Sequence, residues 1–226
     1  MTDGTGGDAN GGVADDAVAD AGDDGEPDVE TLIMEATYRA LRTHGYADLS
    51  VAHIAEEFEK SKSLLYYHYD SKDDLLAGFL EFAGDRFLAM LAEAERDADD
   101  PVGTLRALVD IYLAAELDEE MSEAQRAIID LRAQAVSEPR FREEFTRIDR
   151  SIRERLVSAV ADGVDAGVFP LDVDPETAGS SVLSMLTGAM VQRHTAADDA
   201  VTPVRSAVHG YLDDLAVEDP EGDDGA

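Results

Sequence analysis

Three serines divide an early stretch of the chain into short helices, and this spacing limits what the chain can fold into. Ser50, Ser61 and Ser71 are each followed by apolar residues at helical spacing. Serine is a preferred helix N-cap, because its hydroxyl accepts a hydrogen bond from a free backbone N–H group of the first turn. Residues 50–58 and 62–69 therefore predict two short helices joined by a tight turn, which is a helix-turn-helix.

The rest of the chain also predicts helices, because alternating strand patterns are absent and turn residues fall at helical spacings. Gly45 and Gly167 follow two of these helices, as terminating glycines do. Four prolines stand near predicted starts, where a missing N–H costs least: Pro101, Pro139, Pro175 and Pro203. The nine predicted helices cover about residues 28–44, 50–58, 62–69, 71–97, 102–117, 120–136, 138–166, 175–197 and 201–217.

These helices predict an all-α fold in two parts. Residues 28–75 are expected to form an N-terminal three-helix helix-turn-helix domain, and residues 76–217 a larger C-terminal helical domain. Residues 1–27 and 218–226 are rich in acidic residues and poor in large apolar ones. Such segments bury too little apolar surface to order themselves, so we expect two disordered acidic tails.

Acidic residues run through the whole chain, which has a formal net charge of −33. Such a chain repels itself in dilute buffer, whereas molar salt shortens the Debye length to about 3 Å. This composition indicates a halophilic host. The absence of cysteine fits a reducing cytoplasm, and no apolar run approaches the ~20 residues of a membrane span. We therefore expect a cytoplasmic protein without a membrane partner or signal peptide.

The only three lysines, Lys60, Lys62 and Lys72, surround the second helix of the helix-turn-helix. Such a helix enters the major groove of DNA with its N-terminal residues at the base edges. Lysine and serine donate hydrogen bonds there, and hydroxyl and imidazole groups bind phosphate. Tyrosines at these positions would otherwise be core aromatics, and His68 a surface histidine. The predicted contacts with double-stranded operator DNA are Lys60, Ser61, Lys62, Ser63, Leu64, Tyr66, Tyr67, His68 and Lys72.

The run from Ile54 to Leu75 resembles the signature of the TetR family of transcriptional repressors. It contains Leu-Tyr-Tyr-His-Tyr followed by Ser-Lys-Asp-Asp-Leu, and residues 163–169 also look like a family pattern. The resemblance implies a DNA-binding dimer that binds a small molecule inside its C-terminal helices. It also implies that Leu65 and Tyr69 belong to the core of the DNA-binding domain.

Two features depart from that family. Glu59-Lys60 stands where the family usually has Gly-Val in the turn, and glutamate adopts a positive φ less readily than glycine. Residues 28–78 hold ten acidic residues and five Lys or Arg, a net charge of −5, whereas DNA-binding domains are normally basic. In molar salt, short-range hydrogen-bond donors would have to carry the binding.

The last two predicted helices carry apolar stripes at spacings of three and four residues. Two such helices from each subunit would build a four-helix bundle, and a two-fold repressor matches a palindromic operator. We therefore expect a homodimer, although the same stripes would alternatively pack within one subunit. The predicted dimer contacts are Val182, Leu186, Met190, Val204, Val208, Tyr211 and Leu215.

An effector pocket is expected among the central helices, because methionine and aromatic side chains suit an adaptable apolar site. The candidate lining residues, each of which would otherwise be ordinary core, are Phe87, Met90, Tyr112, Met121, Ile128, Arg132, Met185 and Gln192. Arg132 and Arg193 would either anchor an anionic effector or pair with the abundant carboxylates.

Enzymatic signatures are missing: the chain has no nucleophile elbow, phosphate-binding loop or dinucleotide fingerprint, so we expect neither an enzyme nor a cofactor. Two His and Asp pairs, His194 with Asp198 and His209 with Asp213, have the spacing of half a metal site, which exposed ion pairs explain equally well. The sequence thus predicts a repressor whose effector moves the fourth helix and changes the separation of the two DNA-binding domains. The alternative is a dimer of this fold that reads no operator and acts as an interaction or architectural protein.

Overall fold

The computed structural model describes residues 28–58 and 60–215. This part of the chain folds into helices joined by loops and has no strand, which confirms the predicted all-α class. The two acidic tails and Glu59 of the turn lie outside the described residues. None of the described helices is long and apolar enough to cross a membrane. The helices are α1 (Val29–Asp48), α2 (Val51–Glu57), α3 (Lys62–His68), α4 (Lys72–Asp97), α5 (Pro101–Tyr112), α6 (Glu119–Gln134), α7 (Pro139–Asp165), α8 (Pro175–Thr195) and α9 (Val201–Leu215).

The three serines begin the helices they were expected to begin. The Ser50 hydroxyl accepts a hydrogen bond from the His53 backbone N–H at 3.2 Å. Those of Ser61 and Ser71 cap α3 and α4 in the same way, at 3.2 and 3.0 Å. Each bond satisfies a backbone donor that the helix itself leaves free. The local sequence therefore determines where the short helices start.

Two glycines interrupt or end helices in the left-handed conformation. Gly45 has a φ of 66° and forms a kink inside α1, so the first predicted helix breaks where it was expected to end. Gly167 has a φ of 72° just beyond α7. Glycine reaches these angles without the steric cost that a Cβ imposes.

Helix α5 ends at Tyr112, five residues earlier than predicted. Two arginines from the last two helices donate to backbone carbonyls just past this end: Arg205 to Leu113 at 2.6 Å, and Arg193 to Ala114. Carbonyls at a helix end need such partners because no further helical turn satisfies them. Tertiary contacts therefore place this boundary, which explains why the local sequence did not reveal it.

The apolar side chains form two cores, and α4 contributes to both. The head core joins α1–α4 with Ala127 and Leu131 of α6, with Ala135 just beyond α6, and with two residues of α7. The body core joins the later part of α4, from Leu91, with α5, α7, α8 and α9. Helix α6 thus packs one face on α1, which belongs to the head core, and another face lines the cavity described below.

Candidate nucleic-acid interface and ligand cavity

Helix α3 is held by one buried residue and exposes most of its other side chains. Leu65 is fully buried in the head core. Tyr66 and Tyr67 are 59% and 83% exposed, so they are not the core aromatics considered as the alternative. The exposed predicted DNA contacts are Lys60, Ser61, Lys62, Ser63, Tyr66, Tyr67 and His68, whereas Leu64 is half-buried against the head core.

The lysines differ in what they contact. Lys72 donates from Nζ to the Tyr46 carbonyl oxygen at 3.1 Å and lies 4.3 Å from the centroid of the Tyr46 ring. Its charge is therefore fixed beside α1. Every ion pair within the described residues uses an arginine or a histidine as the cation, and none uses a lysine. Lys60 in the turn and Lys62 at the start of α3 are both exposed, so their ammonium groups can reach an external anion.

Contacts that sequence reasoning missed support α2 beneath this surface. The Arg39 guanidinium donates to the backbone carbonyl of Glu57 at 2.9 Å, at the end of α2. The rings of His44 and His53 stack with centroids 3.9 Å apart, which joins the end of α1 to α2. Neither contact follows from a local motif, because the partners come from separate helices.

A cavity of about 270 Å³ lies between α4, α5, α6, α7 and α8. Six of the eight predicted effector-binding residues line it: Phe87, Met90, Tyr112, Met121, Ile128 and Arg132. Met185 and Gln192 do not, because both are exposed on the outer side of α8. Lining residues that the sequence prediction missed include Leu80, Gln125, Phe145, Ile152 and Met190.

The cationic residue of the cavity wall is already paired. Arg132 on α6 donates from its two terminal nitrogens to the Asp149 carboxylate on α7, at 2.8 and 2.7 Å. Its guanidinium carbon also lies 4.4 Å from the centroid of the Phe145 ring. Burial alone lowers the pKa of Arg132, but the hydrogen bonds and negative charge of Asp149 outweigh burial and raise it above its ordinary value. Of the two roles predicted for this arginine, pairing with a carboxylate is the one observed.

A second polar group of the wall, Gln125 on α6, is oriented by two residues of α8. Its Oε1 lies 2.9 Å from His194 Nε2 and accepts from Arg193 at 3.4 Å. Because a guanidinium only donates, the amide oxygen of Gln125 faces α8 and His194 Nε2 carries the proton. Burial, together with the charges of Arg126 and Arg193, lowers the pKa of His194, which favours the neutral imidazole.

Tyr112 closes another part of the wall. Its hydroxyl lies 2.9 Å from the Thr187 hydroxyl, and one of the two groups donates to the other. Burial raises the pKa of Tyr112, so the phenol stays protonated. The hydroxyl is therefore engaged with Thr187 inside the subunit.

Four of the predicted dimer contacts lie inside the subunit, which corrects the prediction for them. Val182, Leu186, Met190 and Val208 are between 0% and 7% exposed and belong to the body core. Their stripes pack against the other helices of the same chain, so little of their surface is left for a second subunit. Val204 and Leu215 are half-buried, and Tyr211 is 37% exposed.

The paired histidines do not form metal sites in the part of the chain that the structure describes. His209 Nε2 lies 3.0 Å from Asp110 rather than beside Asp213, which pairs with Arg106. His194 is bonded to Gln125. No group of three or more potential ligands is brought together among the described residues.

Comparison with known proteins identifies relatives of both parts of the chain. Residues 33–78 match the family model of bacterial regulatory proteins, tetR family, and residues 101–217 match that of the BetI-type transcriptional repressor, C-terminal. A TetR transcription regulator from Haloarcula marismortui, known from its crystal structure, is 35% identical with a TM-score of 0.76. The match covers 83% of this chain and 98% of that chain.

Two curated relatives match most of the chain at lower identity. The HTH-type transcriptional regulator TtgR of Pseudomonas putida is 27% identical over 75% of this chain and 81% of its own length. The HTH-type transcriptional repressor AcnR of Corynebacterium jeikeium is 25% identical over 78% of this chain and 89% of its own length. Both relatives are named as transcriptional regulators, and the second as a repressor.

Proposed function

Since the chain belongs to the TetR family and is thus a DNA-binding transcriptional regulator, we propose that it is a repressor released from its operator by a small molecule. The observation that carries this proposal is a mainly apolar cavity lined by α4 and α6, two helices that also belong to the head core. A ligand that changes the packing of either helix would therefore act on the DNA-binding domain. The similarity to a relative named as a repressor supports repression rather than activation.

The operator contacts are proposed to come from the exposed surface around α3. Lys62 and Ser63 occupy the first turn of this helix, the part that reaches base edges when such a helix enters the major groove. Tyr66, Tyr67 and His68 are exposed behind them and suit phosphate contacts. Lys72, already held by Tyr46, would support the surface more than it reads bases.

The dimer contacts are proposed to lie on the outer face of α8, together with the exposed Tyr211 of α9. Small or flexible side chains share this face at spacings of three and four residues: Ser181, Ser184, Met185, Gly188 and Gln192. Such residues let two helices approach closely, and two helices from each subunit would form the expected four-helix bundle. This face replaces the buried stripe as the interface, while the expected homodimer is kept.

The charge of the chain favours a cytoplasm of high salt as the place of action. A net charge of −33 opposes approach to DNA over long distances, and salt screens that repulsion. We therefore expect binding to persist in molar potassium chloride, where short-range hydrogen bonds determine affinity.

The test is fluorescence anisotropy of the full chain with DNA from upstream of its own gene, in high potassium chloride, beside a scrambled duplex. Saturable, sequence-selective binding with two subunits or more per site supports the repressor. Equal weak binding to both duplexes, and to fragments from across the genome, would instead favour the dimer that reads no operator.

A further inference from the structure

The wall of the cavity offers hydrogen-bond donors and almost nothing else that is polar. Most lining residues are aliphatic, aromatic or methionine, and the polar ones are Gln125, Arg132 and Tyr112. Met90 and Met121 are about half exposed, so apolar side chains also border the opening. The nature of the ligand therefore depends on what these few polar groups have left to bind.

Arg132 has N–H donors left, because Asp149 takes only one of the two N–H groups on each terminal nitrogen. Both of its terminal nitrogens are bonded to Asp149, but its Nε–H is buried and has no hydrogen-bond partner within the described residues. A buried donor without a partner is costly, so an acceptor that reaches this guanidinium group is favoured. An anionic ligand gains little from this arginine, because Asp149 already neutralises it.

Gln125 also has a donor left. Its oxygen accepts from Arg193 and His194, and no hydrogen bond within the described residues uses its amide nitrogen. A cationic ligand would meet this N–H donor and no free carboxylate, so the wall disfavours positive charge. An uncharged acceptor oxygen satisfies a donor of the wall without bringing an unpaired charge into an apolar site.

We propose that the cavity binds a neutral, mainly apolar molecule whose carbonyl or ether oxygen accepts a hydrogen bond from Gln125 or Arg132. The proposal rests on the proposed function, since such a molecule would be the effector. It replaces the anionic effector that the sequence suggested, because the carboxylate of Asp149 occupies the place that a ligand's carboxylate would need.

Calorimetric titration of the full chain with four related probes tests this chemistry. Benzylacetone is the neutral ketone, isopentylbenzene has the same size without the oxygen, hydrocinnamate replaces the methyl ketone by a carboxylate, and phenylpropylammonium carries a cation. We expect benzylacetone to bind about 10-fold more tightly than each of the others, because each lacks the acceptor or adds a charge.

Two variants test whether Gln125 in the cavity wall causes the preference for the ketone over the hydrocarbon. Gln125→Leu should reduce the preference for ketone over hydrocarbon to roughly 3-fold or less, leaving only the Arg132 donors. Gln134→Leu, on the same helix but outside the cavity, should keep the full preference. Equal binding of ketone and hydrocarbon, tighter binding of either charged probe, or no binding by any probe would overturn the proposal.

Anisotropy with operator DNA, measured on the same samples, separates this inference from the proposed function. If benzylacetone binds with the expected selectivity and lowers DNA affinity, both stand. If it binds selectively and leaves DNA affinity unchanged, release by an effector fails while the ligand chemistry is supported. If hydrocinnamate binds more tightly and releases DNA, the ligand chemistry is wrong and the repressor stands.

Discussion

Arg132 on α6 and Asp149 on α7 form a two-pronged ion pair at the wall of the cavity, with nitrogen–oxygen distances of 2.8 and 2.7 Å. Their side chains are 23% and 33% exposed, so the pair is partly shielded from water. The pair joins the two helices. Because the carboxylate of Asp149 balances the positive charge of Arg132, the pair adds no net charge to the cavity wall.

Asp149→Asn should weaken the fold and change ligand preference. We expect the free energy of unfolding to fall by about 1–3 kcal/mol, because the guanidinium loses its charged partner in a half-buried place. Hydrocinnamate should bind about 10-fold more tightly than it binds the wild type, since its carboxylate now meets an unbalanced cation. Urea unfolding and calorimetry measure the two effects.

Asp85→Asn is the matched control, because it breaks an exposed ion pair between α4 and Arg147 of α7. Exposed pairs contribute about 0–1 kcal/mol to stability, so the free energy of unfolding should change little. The affinity for hydrocinnamate should not change. Similar losses in both variants would contradict a special role for the cavity pair.

Lys62→Ala should reduce the affinity for the operator by about 1–3 kcal/mol if this lysine reads a base. The loss should be much smaller on scrambled DNA, because a base contact acts on one sequence. The control is Arg153→Ala, which removes one positive charge from an exposed position on α7. Equal losses of affinity on both duplexes would indicate that Lys62 contacts a phosphate. An equal loss in Arg153→Ala would indicate that only the overall charge of the chain affects binding.

Gly188→Ala and Gly179→Ala should separate the dimer from the fold of the subunit. A Cβ on Gly188 meets nothing within 4 Å, so alanine should not disturb the subunit, and any loss of dimer must come from a partner helix. A Cβ on Gly179 would lie 2.9 Å from the backbone nitrogen of Val157, so alanine there should destabilise the subunit by about 1–3 kcal/mol.

Analytical ultracentrifugation and urea unfolding distinguish the two glycine variants. Gly188→Ala should raise the dimer dissociation constant while the secondary structure is kept. If its dimer is as tight as that of the wild type, the outer face of α8 is not closely packed in the interface.

Tyr69→Phe should alter the stability of the protein in alkali. Burial first, and then the carboxylates of Glu30, Asp74 and Glu81, raise the pKa of Tyr69 from 10.0 to about 12. The folded state therefore favours the protonated phenol. Its contribution to stability is complete below about pH 10 and is lost as the pH rises towards about 12.

Urea midpoints measured across this alkaline range should fall less steeply for Tyr69→Phe than for the wild type. Some fall should remain, because burial also raises the pKa of Tyr38, Tyr46 and Tyr112. Tyr67→Phe, which removes the hydroxyl of an exposed ring, controls for the loss of one phenol. An unchanged slope for Tyr69→Phe would contradict the assigned cause.

Local chemistry was sufficient to predict the two helices that carry the candidate DNA contacts. The serine caps and the spacing of apolar residues place α2 and α3, and the position of Lys62 in the first turn of α3 follows from them. The cavity was predicted in part, since six of eight residues were found from methionine, aromatic and polar positions on the central helices. The prediction was wrong for Met185 and Gln192, because α8 carries residues suited to a cavity on more than one face.

The sequence by itself determined which segments are helical and where most of them begin, because capping and apolar periodicity act between residues close along the chain. The tertiary structure alone decided what each face contacts. Val182 and Met185 are three residues apart on α8, yet one is buried in the body core and the other is exposed. Periodicity shows that a face needs a partner but does not identify it. The sequence therefore did not reveal that Arg132 pairs with Asp149 or which face of α8 is buried, because both depend on the packing of helices that are distant along the chain.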